Sequence, residues 1–253
     1  MGWPLTAAIG RLNVSKEELL AVKPKIASQA EWLKARKSLL VKEKKVQRML
    51  DAMSVERRSL PWVKVTKPYV FEGANGQMPF AELFDGRSQL IVYHFMFTAS
   101  SNAGCPHCSL RADGFNGILV HLRHRDVTMV AISRAPYKKL AAYQKRMGWT
   151  FPWVSSGDTD FNFDFNVSFT PAAIANGTAV FNYAKQDPGN SEREGHSVFV
   201  RDNRGNIYHT YSCYARGNEP LNIHYHYLDM VPKGRDENGR GPFWVRRHDE
   251  YEQ

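Results

Sequence analysis

Gln89-Leu90-Ile91-Val92-Tyr93-His94-Phe95-Met96-Phe97 is an almost unbroken apolar run, and a short polar loop separates it from Cys105-Pro106-His107-Cys108. A run of this composition predicts a strand buried on both faces of a parallel sheet. Beyond the cysteines, Leu110, Phe115, Ile118, Leu119 and Leu122 predict a helix, and residues 127–132 form a second apolar run. Strand, helix and strand in that order make a βαβ unit, whose crossover is right-handed by strong preference. The cysteine pair therefore falls where the central strand hands over to a helix.

Downstream, Ser133-Arg134-Ala135-Pro136 opens a helix to about residue 147, with proline near its first turn, and 151–155 is a short strand. Residues 158–190 are rich in Asn, Asp, Gly and Phe without a sustained period, which predicts a long connection or insertion able to act as a lid. Residues 197–200 and 207–211 flank the turn Asp202-Asn203-Arg204-Gly205 and predict a hairpin with Gly205 at positive φ. From Leu221 onward, Pro232, Gly234, Gly239, Gly241 and Pro242 argue against a long helix, leaving an irregular C-terminal extension.

Upstream, 63–71 is a strand candidate followed by Gly73, Asn75 and Gly76, and Asp85-Gly86 marks another turn. An N-terminal helical arm precedes it over residues 1–60. Ser15-Lys16-Glu17-Glu18 has capping-box spacing, and from 26 to 58 Trp32, Leu39, Val46 and Met53 recur every seventh residue. That stripe predicts a homodimer through the arm. Residues 61–253 then form the main domain, with the insertion at about 157–195.

The chain has 253 residues, and 34 Lys and Arg against 25 Asp and Glu give +9 at neutral pH. No nucleic-acid motif accompanies the charge, so a solubilising surface and no nucleic-acid partner are expected. Three cysteines are too few for the disulfide framework of a small secreted domain and point to redox or metal chemistry in a reducing compartment. No run approaches the ~20 apolar residues of a membrane span, and residues 1–15 lack the pattern of an export leader. A cytoplasmic protein without membrane contact is the expectation.

Thiolate is the reactive form of cysteine, and a helix N-terminus stabilises it. Cys105 is the candidate nucleophile. Cys108, one turn on, can attack the mixed disulfide that Cys105 forms. His107 adds positive charge beside the thiolate when protonated, and Pro106 fixes φ at a helix start. Arg134, at the carboxyl edge of the second buried strand, is a candidate for binding substrate. The alternative chemistry is a copper or zinc site, with Cys105, Cys108 and His209 as candidate ligands. It requires His209, Tyr211 and Cys213 to share one strand face toward the pair, as simple alternation predicts. No cofactor is required in the redox reading.

Leu60-Pro61-Trp62, the 93–97 run, Cys105 to Ser109, Ser133-Arg134-Ala135-Pro136, Arg146-Met147-Gly148-Trp149, the segment from Phe161 to Phe165, His209-Thr210-Tyr211-Ser212, Tyr214-Ala215-Arg216-Gly217 and Arg247-His248-Asp249 together resemble a family of thioredoxin-like proteins catalogued as domain of unknown function 899. The resemblance implies an α/β thioredoxin-like sheet flanked by helices and a dithiol-disulfide oxidoreductase acting on a thiol or disulfide substrate. His196 and Tyr211 join Arg134 as the candidate substrate-binding residues. Thiol peroxidase activity is a variant, although the Pro-x-x-x-Thr-x-x-Cys run of such enzymes is missing. Two departures stand out. Gly195-His196-Ser197 occupies the place where a thioredoxin has a proline facing its cysteines, and Cys213 stands where the family pattern has threonine.

Overall fold

The computed structural model describes residues 25–157 and 159–252, and the Ser15 capping box lies outside them. The chain divides into two compact units, Met1–Met53 with Asp236–Phe243, and Ser54–Arg235 with Trp244–Gln253. The helix α1 (Gln29–Arg58) has no buried residue, and Trp32, Leu39, Val46 and Met53 are all exposed. Its start is set by a capping box at Ser28 and Glu31 that the sequence reading missed. Ser28 N donates to Glu31 Oε2 at 2.9 Å and Glu31 N donates to Ser28 Oγ at 3.3 Å.

The second unit is built on an eight-stranded sheet. Its chain order is β1 (Val63–Lys64), β2 (Val70–Gly73), β3 (Gly76–Pro79), β4 (Gln89–His94), helices α2 (Pro106–Ala112) and α3 (Leu119–Arg123), β5 (Val127–Ser133), α4 (Tyr137–Arg146) and β6 (Trp153–Ser155). There follow α5 (Phe161–Asp164), α6 (Pro171–Ala175), a separate hairpin of β7 (Val180–Phe181) and β8 (Ala184–Lys185), β9 (Gly195–Arg201), β10 (Ile207–Tyr214) and α7 (Ile223–Leu228). The spatial order is β1-β10-β9-β4-β5-β6-β2-β3. Strand β4 lies parallel to β5, from Gln89↔Val127 to His94↔Ile132, and antiparallel to β9, from Gln89↔Val200 to His94↔Gly195. The fold is thioredoxin-like: β10-β9-β4-β5 is its four-stranded core, and α2 starts just after the central strand.

Alternation along the strands sorts the core into two layers. Tyr93, Met129 and Ala131 face the layer that holds Cys108, Leu140, Tyr143, Trp149 and Trp153. Leu90, Val92, Val130, Ile132 and Phe199 face the other, with Phe71, Phe80, Phe161 and Phe165.

Two expectations change. The single strand at 63–71 is two: β1 pairs with β10 at Val63↔His209, whereas β2 pairs with β6 at Glu72↔Ser155, on the other side of the sheet. Pro68, which has no N–H for a ladder, lies between them. The stretch 158–190 is not a bare connection. Phe161 and Phe165 enter the aromatic layer, and Thr170 caps α6 by accepting from Ala173 N at 3.1 Å, with Pro171 in the first turn. Those phenylalanines carry no period because the helix holding them is one turn long.

Candidate active site

The cysteine pair is positioned by a backbone that runs close against aromatic rings. A Cβ at Gly104 would come within 2.7 Å of Phe95 and 2.8 Å of Tyr143, so only glycine fits before Cys105. Cys105 N donates to Met96 O at 3.1 Å, which ties the loop to the end of the apolar run. Arg247 grips the other side, its Nη2 and Nε donating to Gly104 O at 2.8 and 3.0 Å. Cys105 is the N-cap of α2, with Pro106 in the first turn. Its carbonyl accepts from Ser109 N at 2.9 Å and Ser109 Oγ at 2.8 Å.

The two thiols stand in opposite environments. Cys105 is half-buried, and hydrogen bonds from the Cys108 thiol, and then from the His107 side chain and the backbone of the first helical turn, hold it well below the usual thiol range. Cys108 is fully buried, and burial followed by the neighbouring Cys105 pushes it up. The surroundings thus push the two thiols in opposite directions, Cys105 down and Cys108 up.

Behind Cys108 lies a buried polar cluster. Cys108 Sγ is 3.6 Å from Glu194 Oε2, Tyr93 OH donates to the same oxygen at 3.0 Å, and Arg111 Nη1 forms an ion pair with it. Arg111, one turn after Cys108 on α2, also donates from Nε to Asn222 Oδ1 at 3.0 Å. Burial keeps Tyr93 protonated, so its hydroxyl is a donor to the carboxylate. Glu194 immediately precedes β9.

The candidates from sequence are placed unevenly. Cys105, Cys108 and His107 come together as expected. His196 is buried, stacked on Tyr93 at 4.7 Å between ring centroids and bonded through Nδ1 to Asn218 Oδ1 at 2.9 Å, so it backs Tyr93 instead of facing a substrate. Arg134 lies 3.7 Å from Glu192, donates to Gly157 O at 3.3 Å and stacks over Phe163, 4.7 Å from the ring centroid, so it holds the insertion. Tyr211 lies on β10 beneath the Arg57 guanidinium. His209 is the clear correction. The register shifts between His209 and Tyr211, and this bulge turns His209 into the aromatic layer against Phe165 and Phe199, on the opposite face from the side chains of Tyr211 and Cys213. Its Nε2 bonds Ser212 Oγ at 2.8 Å. Among the described residues no group of three or more His, Cys, Asp or Glu is arranged to hold a metal ion.

Glu194 and Arg111 escaped the sequence reading. Arg111 had a signal, a charge three positions after Cys108 on the face that α2 buries. Glu194 had none beyond its place before the hairpin.

Among solved structures, peroxiredoxin Q of Xanthomonas campestris is similar at 13% identity and a TM-score of 0.41, covering 61% of this chain and 87% of that one. The peroxidoxin BcpB of Mycobacterium tuberculosis matches at 13% identity and TM-score 0.41, over 64% of this chain and 95% of its own. No curated protein matches the sequence. In the described residues, no helix is long and apolar enough to cross a membrane. The family model described as bacterial protein of unknown function (DUF899) matches residues 21–251, nearly the whole chain. With that span and the thioredoxin-like core in place, the chain belongs to the DUF899 family of bacterial proteins.

Proposed function

We propose that the chain is a dithiol–disulfide oxidoreductase in which Cys105 attacks, Cys108 resolves and Glu194 takes the Cys108 proton. The observation that carries this reading is the asymmetry of the pair, a lowered thiol at the helix start and a raised, buried one beside a carboxylate. In the first step the Cys105 thiolate forms a bond to one sulfur of a substrate disulfide, and the other sulfur leaves as a thiolate that water protonates. In the second, the Cys108 proton passes to Glu194 and the freed thiolate attacks Cys105. The Cys105–Cys108 disulfide forms, the second substrate thiolate leaves, and the substrate has gained two electrons. Arg111 compensates the carboxylate's charge while the proton is absent, and Tyr93 fixes the oxygen that faces the sulfur.

The test is a model disulfide substrate with single variants. Cys108→Ser should stop at a mixed disulfide on Cys105, visible by mass spectrometry, and Cys105→Ser should form none. A trapped adduct on Cys108 instead would overturn the assignment of roles. Turnover of hydrogen peroxide with no reaction at disulfides would replace it with the peroxidase variant.

A further inference from the structure

Tyr93, His196 and Cys213 form one row across three strands, since Tyr93 pairs with His196 between β4 and β9, and His196 with Cys213 between β9 and β10. The row ends on Asn218, whose buried Oδ1 accepts from His196 Nδ1 at 2.9 Å and from Cys213 Sγ at 3.2 Å. At its other end the Tyr93 hydroxyl donates to Glu194 Oε2 at 3.0 Å. Glu194 and His196 lie two apart in sequence and both meet Tyr93, one at its hydroxyl and one at its face. Phe115 closes on the Tyr93 ring edge-on, 5.2 Å between centroids. Histidine is a costly backing ring. A phenylalanine would stack on Tyr93 with no polar atom to bury, whereas His196 is buried with Nε2 lacking a hydrogen-bond partner among the described residues. What the imidazole adds is the Nδ1–H bond to Asn218, which fixes the rotation of the ring that Tyr93 rests on. Burial lowers His196 to about 4, so the ring is neutral and this bond persists through the neutral range.

We propose that His196, its ring set by Asn218, is a positioning residue for the resolving step, holding the Tyr93 hydroxyl on Glu194 so that the carboxylate faces the Cys108 thiol. This role rests on the dithiol reading and makes its second step depend on a residue one ring removed from the reacting thiols. In that step the Cys108 proton passes to Glu194 and a bond forms between Cys108 and Cys105. The bond from Cys105 to the substrate sulfur breaks, and that sulfur leaves as a thiolate. The first step is independent of the row, because Cys105 is held through Met96, Gly104 and Arg247.

Stopped flow of the intact chain with dithiobis(nitrobenzoate), whose released thiolate is coloured, separates the two steps. Attack by Cys105 frees the first thiolate at a rate proportional to the reagent, and resolution frees the second at a rate independent of it. His196→Ala should leave the first release within about twofold and slow the second by about tenfold or more. His196→Phe and Asn218→Leu each keep a ring against Tyr93 without the bond that sets it, and should slow the second release by only about threefold. Should His196→Ala not fold, these two milder variants carry the test through the same split between releases. Equal slowing of both releases, an unchanged second release, or His196→Phe as slow as His196→Ala would each overturn the positioning role. An unsubstituted chain that gives no second release fails the dithiol reading itself, whereas a normal second release indifferent to these changes fails only the role of His196.

Discussion

On the sheet face beneath α2, the Arg111–Glu194 ion pair sits against a thiol, whereas the opposite face carries a line of uncharged groups. There His94, Ser197, Ser212 and His209 are linked in sequence by three hydrogen bonds of 2.8 Å. The neutral line runs across β4, β9 and β10, the charged cluster joins α2 and β4 to the residue before β9, and each is largely buried. The difference lies in what each asks of its surroundings. A charge pair costs several kcal/mol to desolvate and is retained where its charge is used, while a neutral chain need only satisfy its own donors and acceptors. Chemistry on one face and cohesion on the other is the division that the following changes test.

The largest effect belongs to the aromatic layer. Phe161 is fully buried among Tyr69, Phe71, Phe80 and Phe165, and Phe161→Ala should cost about 3–5 kcal/mol in denaturant unfolding. Cys105 alkylation should be unchanged by it. A shifted thiol reactivity would show that the two faces are not separable.

Arg111→Met should cost about 3 kcal/mol, because it strands the Glu194 carboxylate in a mostly buried position. It should also slow resolution of the mixed disulfide. Adding Glu194→Gln should restore much of the stability without restoring the rate, and a double variant as unstable as the single one would contradict the ion-pair account.

Acid titration reaches both faces at once. Burial holds His94 down to about 3 and His196 to about 4, so neither takes a proton in the folded chain until well below the ordinary histidine value. The unfolded chain binds those protons from about pH 6.5 downward, so stability falls on acidification from about pH 6.5 to pH 4. Each histidine contributes up to about 1.4 kcal/mol per pH unit in that window. His94→Gln should remove one of the two contributions, and an unchanged slope in urea melts across that range would show that His94 is not held neutral. The smallest change is Ser212→Ala, expected to cost about 1 kcal/mol by breaking the neutral chain, with no effect on the cysteines.

The same comparison explains how far the sequence could be read. The run from Gln89 to Phe97 and the cysteines after it announced the central strand and the helix start, because burial on both faces and a Pro at the first turn are local signals. The Asp202–Gly205 turn likewise located the hairpin, with Gly205 at φ +83°. Which face a β10 residue takes is not local. One extra residue at the bulge inverts the alternation, and nothing in His209-Thr210-Tyr211 signals it. The partners of the resolving thiol were hidden for a related reason. Glu194 is 86 residues from Cys108, and only the closed sheet brings them together.

The central claim is that the pair is divided into a thiolate at the surface and a protonated thiol within. The measurement that tests it most directly is the rate of iodoacetamide alkylation at each cysteine against pH, resolved by mass spectrometry in the intact chain. Cys105 should react first, with a midpoint well below the ~8.5 of a free thiol, and Cys108 and Cys213 should lag across the neutral range. A Cys105 midpoint near ~8.5, or Cys108 reacting ahead of it, would contradict the account.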